Sequence, residues 1–132
     1  MNKIAKVILV TILVPGLLIT GCSDNPNHVA QVGMPAPNFQ LKNLNGQSVS
    51  LSDLQGKPIV INFWATWCSP CTYEMPYLQQ IYDEESDKGL LVLAINIGES
   101  SAKVRQFIES NGFSFPVLLD TKRDVAQDYN IQ

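Results

Sequence analysis

One histidine, three cysteines and few basic residues set the limits of this 132-residue chain. The histidine is His28, and the cysteines are Cys22, Cys68 and Cys71. A structural zinc site takes four such ligands, so all four residues would have to meet at one ion. No metal is expected, and no other cofactor. Lys and Arg number 9 against 12 Asp and Glu, for a net charge of -3. This mildly acidic balance lacks the basic patches that nucleic acid requires, so no nucleic-acid partner is expected. There is no internal repeat and no low-complexity tract. The longest N-terminal apolar stretch, Val7 to Ile19, is broken by Thr11, Pro15 and Gly16. It falls short of the ~20 residues that span a bilayer and suits the core of a signal peptide, with Lys3 and Lys6 as its basic region.

What the chain does have is a dense motif in its middle, Phe63-Trp64-Ala65-Thr66-Trp67-Cys68-Ser69-Pro70-Cys71-Thr72-Tyr73-Glu74-Met75-Pro76. An apolar run, Ile59 to Asn62, precedes it and reads as a buried strand. A helix is predicted over Thr72 to Ser86. The two cysteines therefore fall at a strand-to-helix turn. The first turn of a helix leaves backbone N–H groups unpaired, and its dipole favours negative charge. A thiolate at Cys68 would be stabilised there, and the thiolate is the reactive form of cysteine. Helical residues three apart have Cβ atoms about 5–6 Å apart, whereas a disulfide needs roughly 3.5–4.5 Å. Cys68 is thus expected at the helix cap, with the first turn bent toward Cys71. Pro70 suits a first turn, where its missing N–H costs nothing.

The run from Phe63 to Cys71, with Glu74 and Pro76 after it, resembles the thioredoxin superfamily. More closely it is similar to the membrane-tethered thiol-disulfide oxidoreductases of the ResA/TlpA type, which serve cytochrome c maturation. Ile19-Thr20-Gly21-Cys22 likewise resembles a bacterial lipobox. That likeness implies cleavage before Cys22 and a lipid anchor on it. Residues 1–21 then read as a lipoprotein signal peptide, 22–32 as a polar tether and 33–132 as one thioredoxin-like domain. His28 falls in the tether and reads as solvated.

The domain opens with Gly33-Met34-Pro35-Ala36-Pro37-Asn38-Phe39, a pattern shared by TlpA-like proteins and peroxiredoxins. Phe39 and Leu41 alternate with polar residues as in a half-buried strand. Asn45-Gly46 marks a hairpin turn, returning through Val49 and Leu51. Ser52 to Gly56 reads as a capped single turn. Lys57-Pro58 leads into Ile59 to Trp64, expected as the central strand. In the helix that follows, Met75, Leu78, Ile81 and Tyr82 give an apolar face, and Pro76 is expected to kink it. Leu90 to Ile97 reads as a buried parallel strand. Ser100 or Ser101 caps a second helix with Val104, Phe107 and Ile108 as its buried stripe, stopped by Asn111-Gly112. Phe115 to Leu119 is a further strand, and Asp120 is expected to cap a last helix ending near Tyr129. Alternating strands and helices indicate an α/β layer fold. The resemblance makes it a thioredoxin-like fold with an N-terminal β-hairpin. It also makes Ser101 to Asp120 a helix-strand insert. In the resembling families a cis-proline loop follows the last helix. Here the sequence stops at Gln132, where that loop is expected to begin.

The resemblance implies a mechanism of thiol-disulfide exchange. Cys68 attacks a substrate disulfide, and Cys71, buried one turn deeper, resolves the mixed disulfide. Trp67 and Pro70 would contact substrate. Glu74, one turn past Cys71, would be a buried carboxylate that raises thiol pKa or shuttles a proton. The implied partners are a protein disulfide, with apocytochrome c as the family's substrate, and a membrane thiol protein that donates electrons. The implied location is extracytoplasmic, on the bacterial cell membrane. Three rivals remain. A peroxiredoxin needs Thr or Ser three residues before its reactive cysteine, where this chain has Ala65. A copper chaperone of the Sco type needs wider cysteine spacing and a later histidine. A non-catalytic lipoprotein would use Cys68 and Cys71 only as a structural disulfide.

Overall fold

A computed structural model describes residues 29–132. The segment 1–21 read as a signal peptide, Cys22 and His28 lie outside the described residues. The fold begins with a hairpin of β1 (Gln40–Asn43) and β2 (Ser48–Ser50), paired antiparallel. Its turn forms where Asn45-Gly46 predicts it. The Asn43 side chain accepts from the backbone N–H groups of Asn45 and Gln47, and Gly46 takes a φ of 79° that few other residues tolerate. A short 3-10 turn follows at Leu51–Leu54, with no side-chain cap from Ser50. The expectation that Ser52 opens a capped turn is thereby corrected. Ser52 lies inside the turn, and its hydroxyl pairs with Ser50 at 2.8 Å instead.

β3 (Ile59–Trp64) runs into α1 (Ser69–Glu85). A 3-10 turn at Ser86–Lys88 and Gly89, at φ 98°, end this segment. β4 (Leu91–Ile97), α2 (Ser101–Asn111), β5 (Val117–Asp120) and α3 (Asp124–Asp128) complete the order. Ser100 caps α2 by accepting from the N–H of Lys103, and Gly112 ends it in the left-handed conformation. Asp120 serves α3 from outside the helix, accepting from the N–H of Ala126 at 2.8 Å.

The five strands form one mixed sheet in the order β2-β1-β5-β4-β3. β3, β4 and β5 are mutually parallel, and β1 is antiparallel to β5. Among the described residues β3 is an edge strand, and β4 has neighbours on both sides. β5, expected as part of an insert, is bonded to both β4 and β1 and so lies inside the sheet.

β4 shows why the sheet needs two covers. Its side chains alternate between faces. Val92 and Ala94 join Trp64, Met75, Leu78, Val104, Ile108, Phe115 and Val117 in one apolar cluster, which α1 and α2 cover. Leu93 and Ile95 join Phe39, Leu118 and Val125 of α3 on the other face. The layered α/β architecture therefore follows from one strand that is apolar on both sides.

Candidate active site at the start of helix α1

In a parallel pair both strands leave the sheet at the same end. β3 and β4 are paired in register, with Trp64 opposite Asn96. The loop after β3 carries Ala65, Thr66, Trp67 and Cys68. The loop after β4 carries Gly98 and Glu99. The two loops thus emerge side by side at the carboxyl ends of the strands, the usual place for a site in an α/β sheet.

Cys68 is the N-cap of α1. Its carbonyl accepts from the N–H of Thr72 at 3.0 Å, and its own N–H donates to the carbonyl of Ala65 at 3.1 Å. The helix begins three residues earlier than predicted, at Ser69, because Ser69 and Pro70 are part of its first turn. Cys68 and Cys71 are joined as a disulfide, with Cα atoms 5.3 Å apart. The bent first turn expected from the spacing is met by placing Cys68 outside the regular helix. Both cysteines are half-buried. Cys71 packs against the cluster that contains Trp64 and Met75, so it is the inner of the two, though not fully enclosed.

The two tryptophans of the motif have opposite surroundings. Trp64 is 1% exposed and packs on Phe107, with ring centroids 5.3 Å apart. Trp67 is 68% exposed and lies next to Cys68 in the chain. Pro70 is exposed in the first turn of α1. Glu74 lies on α1 one turn after Cys71, but its side chain is exposed. That corrects the expectation of a carboxylate buried beside the thiols. Burial depends on what covers a helix face, which spacing along the helix does not report. Among the described residues, no group of His, Cys, Asp or Glu is arranged to hold a metal ion. No helix among them is long and apolar enough to cross a membrane.

The carboxylate that is buried near the motif is one the sequence reading passed over. Glu99 is 8% exposed. It accepts from the N–H of Thr66 at 2.7 Å and from the Thr66 hydroxyl at 2.6 Å. Asn96 donates to it at 2.8 Å, and the Lys103 ammonium lies 2.6 Å away. Burial by itself pushes this carboxyl up. The hydrogen bonds from Asn96, Lys103 and Thr66 outweigh burial and hold it at about 2, against an ordinary 4.5. The available signal was Asn96 inside an otherwise apolar strand, with Glu99 three residues later in the loop that follows it.

Residues 32–132 match the AhpC/TSA family. The chain belongs to that family. It is 46% identical over 99 residues to thiol-disulfide oxidoreductase ResA of Bacillus subtilis, covering 75% of this chain and 55% of the relative. It is 37% identical over 131 residues to the protein of that name from Oceanobacillus iheyensis, covering 96% of this chain and 68% of the relative. The chain therefore spans a little over half the length of the first of these relatives. Among solved structures, the thioredoxin domain of a thiol-disulfide oxidoreductase from Bacteroides vulgatus superposes with a TM-score of 0.71 at 31% identity. That superposition covers 78% of this chain and 76% of the other. The fold of this family member is thioredoxin-like, as the motif implied.

Proposed function

We propose that this protein catalyses thiol-disulfide exchange outside the cytoplasm, acting as a reductant of protein disulfides. The observation that carries the reading is the Cys68–Cys71 disulfide at the N-cap of α1, beside the exposed ring of Trp67. A pair three residues apart at a helix start opens and closes with little backbone movement. Relatives of this chain bear the name thiol-disulfide oxidoreductase.

In the reduced protein, Cys68 is the attacking group. The N-terminal end of α1 stabilises its thiolate. The thiolate sulfur bonds to one sulfur of the substrate disulfide, and the substrate S–S bond breaks. The departing sulfur leaves with the electron pair and takes a proton from water. Cys71 then loses its proton and attacks the Cys68 sulfur, which breaks the mixed disulfide. The substrate leaves with two thiols, and the protein holds the Cys68–Cys71 disulfide. Two electrons have passed to the substrate. An external dithiol restores the pair by the same steps in reverse.

Trp67 supplies a flat apolar surface for the substrate segment, and Pro70 borders it. Glu74 is retained as a candidate proton carrier for Cys71, on its position one turn along α1. Residues 1–21 serve as a lipoprotein signal peptide, and Cys22 carries lipid that anchors the domain to the bacterial membrane through a tether at 22–32. A membrane thiol protein recharges the pair, and the Cys-x-x-Cys of apocytochrome c is the substrate. Peroxide reduction gains nothing from the site: Ala65 stands where that chemistry needs a hydroxyl, and Thr66 gives its hydroxyl to Glu99.

The test uses the full chain with dithiothreitol as donor and insulin as a protein disulfide. Insulin reduction should be accelerated over dithiothreitol alone by the wild-type chain, and Cys68→Ser should lose that acceleration. Equal acceleration by the two would remove Cys68 from the mechanism. Apocytochrome c with its cysteines oxidised replaces insulin to test the substrate.

A further inference from the structure

Glu99 belongs to no step of that mechanism, yet its carboxylate is the most heavily bonded side chain beside the motif. Its donors come from three elements: Thr66 in the loop after β3, Asn96 in β4 and Lys103 in α2. Asn96 is fully buried, its amide nitrogen donates to Glu99, and its side-chain oxygen has no partner. Taking a carboxylate out of water is expensive, and a buried ion pair is weak evidence of stabilisation, because apolar replacements often serve as well. What this arrangement does provide is geometry. The two carboxylate oxygens take the two donors of a single residue, Thr66. Charge-assisted bonds of this kind are short and direction-bound.

Thr66 stands two residues before Cys68. Ala65, just before it, is 2% exposed and fixed by burial. Cys68, just after Trp67, is fixed as the helix cap. Between those points the backbone path depends on Thr66, and Thr66 is held by Glu99. We propose that Glu99 is a positioning residue for disulfide exchange, fixing Thr66 and through it the placement of Trp67 and Cys68 against an incoming disulfide. This inference rests on the exchange reading given above.

Glu99→Gln is the informative change. The amide offers one acceptor oxygen and one NH2 group. Glu99 Oε2 now takes Thr66 N–H and Asn96, and Oε1 takes the Thr66 hydroxyl and Lys103. In either orientation, an NH2 group faces at least one donor that cannot turn around. Displacements of about 1 Å in a reacting group cost up to ~100-fold in rate. The charged groups in the cluster are Glu99 and Lys103; Thr66 and Asn96 are neutral. Removing the negative charge leaves Lys103 unpaired, and both changes favour the Cys68 thiolate.

The experiment compares full-length, reduced wild-type, Glu99→Gln, Thr66→Val, Thr66→Ser and Ile108→Val chains. Ile108→Val alters the α2 core without touching the loop and controls for stability. Exchange with insulin is measured as a second-order rate, and Cys68 alkylation by iodoacetamide is followed against pH. Glu99→Gln should exchange about tenfold more slowly, while its alkylation midpoint moves to lower pH. Thr66→Val should lose several-fold, and Thr66→Ser, which keeps both donors, should recover most of that loss. Ile108→Val should change neither readout by more than about twofold. Should Glu99→Gln not fold, the Thr66 pair decides. Glu99→Gln within twofold of wild type with an unmoved midpoint overturns the inference. So does an equal loss in Ile108→Val, or Thr66→Ser no faster than Thr66→Val. Failure of the wild-type chain to exchange at all would strike the exchange reading instead.

Discussion

Glu99 holds Thr66 by both of its donors, the backbone N–H at 2.7 Å and the hydroxyl at 2.6 Å, across 33 residues of sequence. The contact ties the loop after β4 to the loop that carries the cysteines. It exists because β3 and β4 are parallel and in register, so both loops leave the sheet at one end. Its consequences reach stability as well as the site.

Acid should loosen this protein through Glu99. The folded carboxyl is held at about 2, below its ordinary 4.5. Its contribution is therefore fully present above pH 4.5 and is lost as pH falls from 4.5 to about 2. The amount is on the order of 3 kcal/mol. Urea unfolding at a series of pH values should show this loss in wild type. In Glu99→Gln the slope across that window should be shallower, and an unchanged slope would contradict the assignment.

Trp64 and Trp67 should separate stability from function. Trp64→Ala removes a ring that is 1% exposed and should cost about 3–5 kcal/mol. A small domain has only ~5–15 kcal/mol in all, so this variant should be close to unfolding. Trp67→Ala removes a ring that is 68% exposed and should change stability by less than about 0.5 kcal/mol. Its exchange with insulin should nevertheless fall. Denaturant midpoints and exchange rates measured on both variants check the pair.

Tyr129, just after α3, is fastened to the segment that precedes β1. Its hydroxyl donates to the carbonyl of Pro37 at 2.8 Å, and its ring packs on Phe63 and Phe39. Tyr129→Phe keeps the packing and should cost about 1 kcal/mol. Burial, and secondarily Asp128, raise the Tyr129 pKa above its ordinary 10.0. Ionisation is thus harder in the folded state, so stability should fall as pH rises past 10. Tyr129→Phe should lessen that alkaline loss.

Much of this was legible in the sequence where local chemistry decides structure. Asn45-Gly46 could hardly be anything but a turn, and the both-sided apolar run of β4 required a covered sheet. The cysteine motif marked the candidate site, where Cys68 and Cys71 are joined. What was not legible depends on neighbours. The helix start was set three residues late although Pro70 was read as suited to a first turn, because Ser69 and Pro70 already belong to that turn. Glu74 shares a helix side with Cys71, but sharing a side does not bury it. Glu99 lies 33 residues from Thr66. Only the pairing register of two strands brings them together, and no local pattern announces it.

The order of cysteine reactivity follows from the helix cap. In the reduced chain near neutral pH, limiting iodoacetamide should label Cys68 before Cys71. Cys71 packs on the Trp64 and Met75 cluster, which hinders a reagent's approach to its sulfur. Peptide mapping of the alkylated chain reads the order, and Cys71 labelled first would reverse the two roles.

The central claim is that Cys68 attacks and Cys71 resolves, and trapping the intermediate tests it most directly. The full-length Cys71→Ser chain, reduced and freed of reductant, is mixed with an aromatic disulfide such as dithiobis(nitrobenzoate). Peptide mapping should find the mixed disulfide on Cys68, with one aromatic thiol released for each adduct formed there. The wild-type chain, given the same treatment, should end with the Cys68–Cys71 bridge and two thiols released for each bridge. A Cys71→Ser chain whose Cys68 stays free, or a wild-type chain that keeps a stable adduct on Cys68, would contradict the account.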